Sequence, residues 1–200
     1  MSKEKDGDIT LDNLTDEDLP EKIPAKFINN RVIVFNPLYA SYLYVKKKFF
    51  GAPLGISKPR LEYFSKPSEL SVIEAYYLLK NDEITIYDVK NEKDLTVKEF
   101  FDIAVNIHDK FEEKYTIYED LREKGYIPRP GLKFGADFVC YKKGPGLEHS
   151  PFIVHVFPHD SKITAIDMVR AGRLATSVRK KFVIANPQTK NYYFFEWFKP

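Results

Sequence analysis

The chain has 200 residues, 44% of them hydrophobic, and a formal net charge of +2. That length supports one large domain or two small ones with a real core, and no apolar run reaches the roughly 18 residues of a membrane span. Its single cysteine, Cys140, excludes an intrachain disulfide framework and any multi-cysteine zinc site, which fits a reducing, cytoplasmic setting.

Residues 1–22 hold eight acids and three lysines, a charge of −5, so the remaining residues carry +7. The acidic segment has few large apolar side chains and is expected to be a disordered, solubilising tail. Its charge from the third residue onward argues against a secretory signal. The body is moderately basic, which is compatible with a polyanionic partner.

After the tail, "VIVF" reads as a buried strand. "NPLYASYLYVKKKFFG" reads as a helix that starts at Asn36-Pro37 and stops at Gly51. "GAPLGISKPR" has loop chemistry. In "SVIEAYYLLKND", Ser71 and Glu74 form a capping box, and Leu70, Ile73, Tyr77 and Leu78 share one helical face. "EITIYDV" is a short strand. "TVKEFFDIAVNIHDKFEE" opens with a second box, Thr96 and Glu99, and sets Phe100, Ala104, Ile107 and Phe111 on one face. "TIYEDLREKG" is a further helix closed by Gly125.

Beyond Gly125 the pattern turns to β. "YIPRPGL", "FGADFVCY" and "PFIVHVFP" read as strands; a helix follows, then "KFVIAN" and "YYFFEWF" around the turn "NPQTKN". The order predicts two α+β domains, residues 23–112 and 113–200. The second is expected to be a mixed β-sheet flanked by helices. The helix in "ITAIDMVRAGRLATSVRKK" starts at Thr164 and Asp167. Met168, Ala171, Ala175 and Val178 lie on one face, with Arg170, Arg173, Ser177 and Lys180 roughly opposite. Such a basic stripe is either a solvated face or a surface for an anion.

"GYIPRPGLKFGADFVCY", "EHSPFIVHVF" and "GRLATSVRKKFVIA" together resemble the catalytic domain of the tRNA-splicing endonucleases, and "LSVIEAYYLL" resembles that family's other domain. The likeness covers roughly residues 27–200. Each motif alone is weak; in this order they are specific. The resemblance implies a Tyr–His–Lys triad at Tyr141, His149 and Lys180, with Lys181 as the neighbouring alternative to Lys180. It implies that Tyr141 takes the proton of an RNA 2′-OH, His149 protonates the leaving 5′-oxygen, and Lys180 stabilises the phosphorane. No metal or other cofactor is implied. A base with an ordinary pKa of about 10 needs help, and an ammonium such as Lys180 is one source of it.

The family acts on a helix flanked by two three-nucleotide bulges, so the implied partner is precursor tRNA. Arg173 matches a base-clamping position, and Arg170 shares its face. Two cuts imply at least two active sites, hence a dimer or tetramer, formed with itself or with a second endonuclease subunit. The run "YYFFEWF" resembles the family's subunit-pairing strand, and "HDSKITAID" lies where relatives carry an acidic docking loop. Competing readings are a non-catalytic structural subunit, an RNA-binding module, and a metal-dependent nuclease that chelator would stop. Asp137, on the face of Tyr141, is read mainly as a structural pairing residue. Cys140 is read as buried packing, His155 as part of the sheet, His108 as part of a helix face, and His159 as part of a surface turn.

Overall fold

The computed structural model describes residues 19–157, 162, 164–166, 169, 172–173 and 180–195. Most of the acidic tail, His159, Asp160, Asp167, Arg170 and the end of the aromatic C-terminal run lie outside the described residues. The chain divides into two compact units, one up to Phe100 and one from Phe101. No described helix is long and apolar enough to cross a membrane.

The first unit contains β1 (Ile23–Ile28), β2 (Arg31–Val34), α1 (Pro37–Val45), β3 (Ala52–Pro53), β4 (Ser68–Leu70), α2 (Val72–Lys80), β5 (Ile84–Asp88), β6 (Lys93–Asp94) and the start of α3 (Val97–Ile107). Its sheet runs β3-β4-β2-β1-β5-β6, with β1 and β5 parallel. Alternation along β1 buries Ile23, Ala25 and Phe27 and exposes Pro24 and Lys26. Phe27 meets Phe100 edge to face at 6.0 Å. Both capping boxes form. Ser71 and Glu74 exchange hydrogen bonds at the head of α2, as do Thr96 and Glu99 at the head of α3.

The first helix starts as its sequence predicts, with Asn36 Oδ1 accepting from the Leu38 N–H at 2.9 Å. It ends at Val45 rather than running on to Gly51. Phe49 and Phe50 are both 5% exposed, and Phe49 packs on Tyr44 at 5.2 Å. Burying two aromatics folds the chain back over the helix end. Lys48 and Phe49 take positive φ (66° and 65°) to make the reversal, a local strain that the buried area offsets.

The second unit continues α3 and adds α4 (Phe111–Glu123), β7 (Ile127–Pro130), a short 3₁₀ turn over Leu132–Phe134, β8 (Phe138–Tyr141), β9 (Phe152–Val156), β10 (Lys181–Asn186) and β11 (Asn191–Phe195). The helical pattern expected through residue 113 is broken between α3 and α4, where Lys110 adopts a left-handed conformation with φ 53°. His108 therefore sits just past the end of α3, its N–H bonded to the Ala104 carbonyl. Gly125 closes α4 with φ 80°, as expected.

This sheet has the order β11-β10-β9-β8-β7. It is mixed, because β9 and β10 are parallel and the other pairs antiparallel. Tyr118 of α4 lies 5.9 Å from Phe138 on one face. On the other face Val139, Ile153, Phe182 and Ile184 form a core with Ala136, flanked by half-buried Phe134 and Tyr141. The helix expected between β9 and β10 is helical at residues 165–166, 169 and 172–173; the rest of it lies outside the described residues.

Candidate active site

Strand register brings the three predicted triad positions to one end of the second sheet. Cys140 of β8 pairs with Phe152 of β9, and Lys181 of β10 pairs with Phe152 from the other side. Because β8 runs against β9 and β10 runs with it, the last residue of β8 and the residues just before β9 and β10 emerge together. These are Tyr141, the His149–Pro151 segment and Lys180. The two ends of one hairpin and a third segment farther along the chain therefore meet through one cross-strand row.

Tyr141 is half-buried and pairs in register with Ile127 of β7. Burial pushes its phenol above the ordinary range, and the charge of Arg129 works in the opposite direction. Arg129 of β7 faces Val139, one pleat from Tyr141 on the same face. Among the described residues, Arg129 is a cation that draws the Tyr141 pKa down, a neighbour that the sequence reading did not name. Cys140 points to the opposite side of the sheet, is fully buried, and has its thiol pushed up by burial, as expected of a packing residue.

His149 is exposed and immediately precedes Ser150, which is buried. The Ser150 hydroxyl donates to the Phe152 carbonyl at 3.1 Å, fixing the entry to β9. The Ser150 carbonyl accepts from Lys180 Nζ at 2.9 Å. Lys180 also lies over the Phe134 ring, 5.5 Å from its centroid. Burial lowers its pKa from the ordinary lysine value. Lys180 stands at a bend directly before β10, whereas Lys181 begins the strand and is exposed. Of the two lysines, Lys180 reaches the backbone beside His149.

The loop between Tyr141 and His149 is tied at its base. The Glu148 carboxylate accepts from the backbone N–H of Lys142 and, at 2.6 Å, from that of Lys143. The Lys143 N–H does most to hold the Glu148 pKa below the usual carboxylate value, and the Lys142 and Gly144 N–H groups act in the same direction. Gly146, at φ 83°, turns the chain between Pro145 and Glu148. Reasoning from sequence missed Glu148, Ser150, Arg129 and Phe134 as neighbours of the site. The available signal was local: an acid and a serine flank His149, and a Gly-Pro-Gly turn lies ahead of them.

Asp137 is a structural pairing residue, as expected. Burial raises its carboxyl, but the His155 ring, the Val156 N–H and Lys114 outweigh it and leave the pKa below the ordinary value. Its Oδ2 accepts from the Val156 N–H at 2.8 Å and lies 3.1 Å from His155 Nδ1, an ion-pair distance without hydrogen-bond alignment. Oδ1 lies 3.2 Å from Lys114 Nζ. His155 belongs to β9. Arg173 is helical and exposed; Arg170 lies outside the described residues. Among the described residues no group of three or more His, Cys, Asp or Glu side chains is gathered as a metal would require.

Two family models match the chain. The tRNA intron endonuclease catalytic C-terminal domain matches residues 111–193, and the tRNA intron endonuclease N-terminal domain matches residues 23–101. Among curated relatives, the tRNA-splicing endonuclease of Hyperthermus butylicus is 41% identical over 182 residues, covering 89% of this chain and 99% of the relative. The tRNA-splicing endonuclease of Saccharolobus solfataricus is 40% identical, with 88% and 99% covered. That of Saccharolobus islandicus is 38% identical, with the same coverage.

Proposed function

Because this chain belongs to the tRNA intron endonuclease family and is an endonuclease of tRNA splicing, we propose that it cuts precursor tRNA at bulge-helix-bulge junctions through Tyr141, His149 and Lys180, without a metal. The observation that carries this reading is the convergence of those three positions at one end of the second sheet, with Lys180 bonded to the residue after His149.

In the reaction, the RNA 2′-oxygen bonds to the adjacent phosphorus and loses its proton to Tyr141. The bond from phosphorus to the 5′-oxygen breaks, and His149 gives that oxygen its proton. Lys180 meets the negative charge that gathers on the phosphoryl oxygens. The products are a 2′,3′-cyclic phosphate and a 5′-hydroxyl. Burial keeps the Tyr141 phenolate scarce, and a scarce phenolate is a strong base. Arg129 sustains the fraction that reacts.

Arg173, exposed on its helix, and Arg170 contact the RNA in this reading, through phosphate and base stacking. The active form is a dimer or tetramer, of this chain alone or with a second subunit, so that two sites address two bulges. The chemistry lies within residues 113–200. The protein works in the cytoplasm, consistent with its unpaired cysteine.

The test is cleavage of an RNA bearing two bulges across a short helix, in excess chelator, with wild type beside His149→Ala. Cuts within both bulges leaving cyclic phosphate are expected. His149→Ala should be slower by about 10²–10⁴-fold with RNA binding retained. Loss of wild-type cutting in chelator, or an active His149→Ala enzyme, overturns the mechanism.

A further inference from the structure

Glu148 has no part in the proton transfers, yet its carboxylate takes two backbone N–H groups at the base of the hairpin loop. It takes the N–H groups of Lys142 and Lys143, and the Gly144 N–H also draws on it. Successive N–H groups turned toward one anion form a strong local hold. The hold joins two particular points of the chain: Lys142 follows Tyr141, and Glu148 precedes His149.

An acid next to a site for a polyanion is electrostatically adverse, since it repels the phosphate that must enter. Here the repulsion is locally offset by the N–H groups and by the flanking Lys142 and Lys143 side chains, both exposed. Glu148 is ionised at neutral pH, as an ordinary glutamate is, and those bonds lower its pKa further. The grip is present above the usual carboxylate range and is lost only as pH falls through the lowered value. The next two residues complete the pattern. His149 is held between Glu148, tied to the Tyr141 end of β8, and Ser150, whose carbonyl is tied to Lys180.

We propose that Glu148 is a positioning residue of this endonuclease: its carboxylate, bound to the Lys142 and Lys143 N–H groups, sets the distance between the general acid His149 and the general base Tyr141. The inference rests on the triad assigned above. It predicts that Glu148 governs the rate of the bond-making step and leaves RNA affinity alone, because misplacement of a catalytic group by about 1 Å costs up to roughly 10²-fold in rate.

The experiment compares wild type, Glu148→Ala and Glu148→Gln as full chains, in the assembly in which wild type cuts the bulged RNA. Single-turnover cleavage is measured, together with the Kd for the same RNA carrying 2′-deoxy nucleotides at both cut sites. Glu148→Ala should cut about 30–100-fold more slowly, with Kd changed less than about threefold. Glu148→Gln, which keeps an oxygen acceptor for both N–H groups, should recover most of the rate. Amide hydrogen exchange at Lys142 and Lys143, read without RNA, should be slow in wild type and in Glu148→Gln, and fast in Glu148→Ala.

A Glu148→Ala enzyme that cuts at the wild-type rate overturns the inference. So does one that loses rate and affinity together, one that glutamine fails to rescue, or wild-type amides at 142 and 143 that exchange freely. If wild type cuts but His149→Ala cuts equally well, the triad reading fails first and the positioning role goes with it. If His149→Ala is crippled and Glu148→Ala is not, the positioning role alone fails.

Discussion

The two units each build a sheet with helices packed on it, but they use their buried acids differently. In the first, Glu74 caps its own helix through Ser71, and Asp88 accepts from the N–H groups of Lys90 and Asn91. These bonds shape local turns, while longer ties in the same unit join Gly51 to Glu74 and Ser41 to Phe64. In the second, Asp120 of α4 accepts from the Tyr192 hydroxyl of β11, and Asp137 holds Val156, with His155 and Lys114 beside it. Lys180 reaches back to Ser150. Both units tie distant segments with polar groups, but the second brings such a tie to the candidate triad positions, where Lys180 meets Ser150. The proposed triad of Tyr141, His149 and Lys180 lies in that second unit.

Replacing Lys180 tests that contrast most severely. Lys180→Ala removes both a cation and the tether to Ser150, so single-turnover cleavage should fall by about 10²–10³-fold. If the thermal midpoint barely moves while the rate collapses, the tether matters less than the charge. Next is Asp137→Asn, which keeps the shape and removes the charge that faces His155 and Lys114. A charged hydrogen-bonding group of this kind contributes about 1.5–3 kcal/mol, so denaturant unfolding should show a loss of about that size. The sign of its pH dependence follows from its direction: the folded pKa lies below the unfolded one. Its contribution is therefore complete above the ordinary Asp range and disappears as pH falls below about 4. Wild type should lose stability there more steeply than Asp137→Asn. Smallest is Ser71→Ala in the first unit, where loss of one cap should cost about 1 kcal/mol and leave cleavage unchanged. A change in cleavage larger than the stability loss explains would erase the distinction between the units.

The same contrast explains what the sequence made legible. Both capping boxes, Gly125 and the strand order after it are written in short spacings, and they appear as read. The end of α1 was hidden because it is decided by the burial of Phe49 and Phe50, a tertiary event that overrides helix propensity. The break at Lys110 was hidden for a related reason: Phe111 continues the apolar face of α3 in spacing while beginning α4 in fact. At the candidate site, Tyr141, His149 and Lys180 were named through a family likeness, not through periodicity. What no pattern announced was the support around them. Glu148, Ser150 and Phe134 act through backbone bonds and ring contact, which depend on register, and Arg129 influences Tyr141 only because β7 and β8 are antiparallel neighbours.

The Glu148 carboxylate closes the base of its loop, and this sets where the chain tolerates a change of length. Extra residues placed among Gly144, Pro145, Gly146 and Leu147 leave both gripped N–H groups and the carboxylate where they are, so the lobe beyond the clamp is free to lengthen or carry a graft. One residue added between His149 and Phe152 would instead separate the Glu148 grip from the start of β9 and disturb the carbonyl that Lys180 grips. The hairpin thus pairs a tip that can change length with a root held at fixed length, so what the loop touches can be altered a few residues from the proposed site.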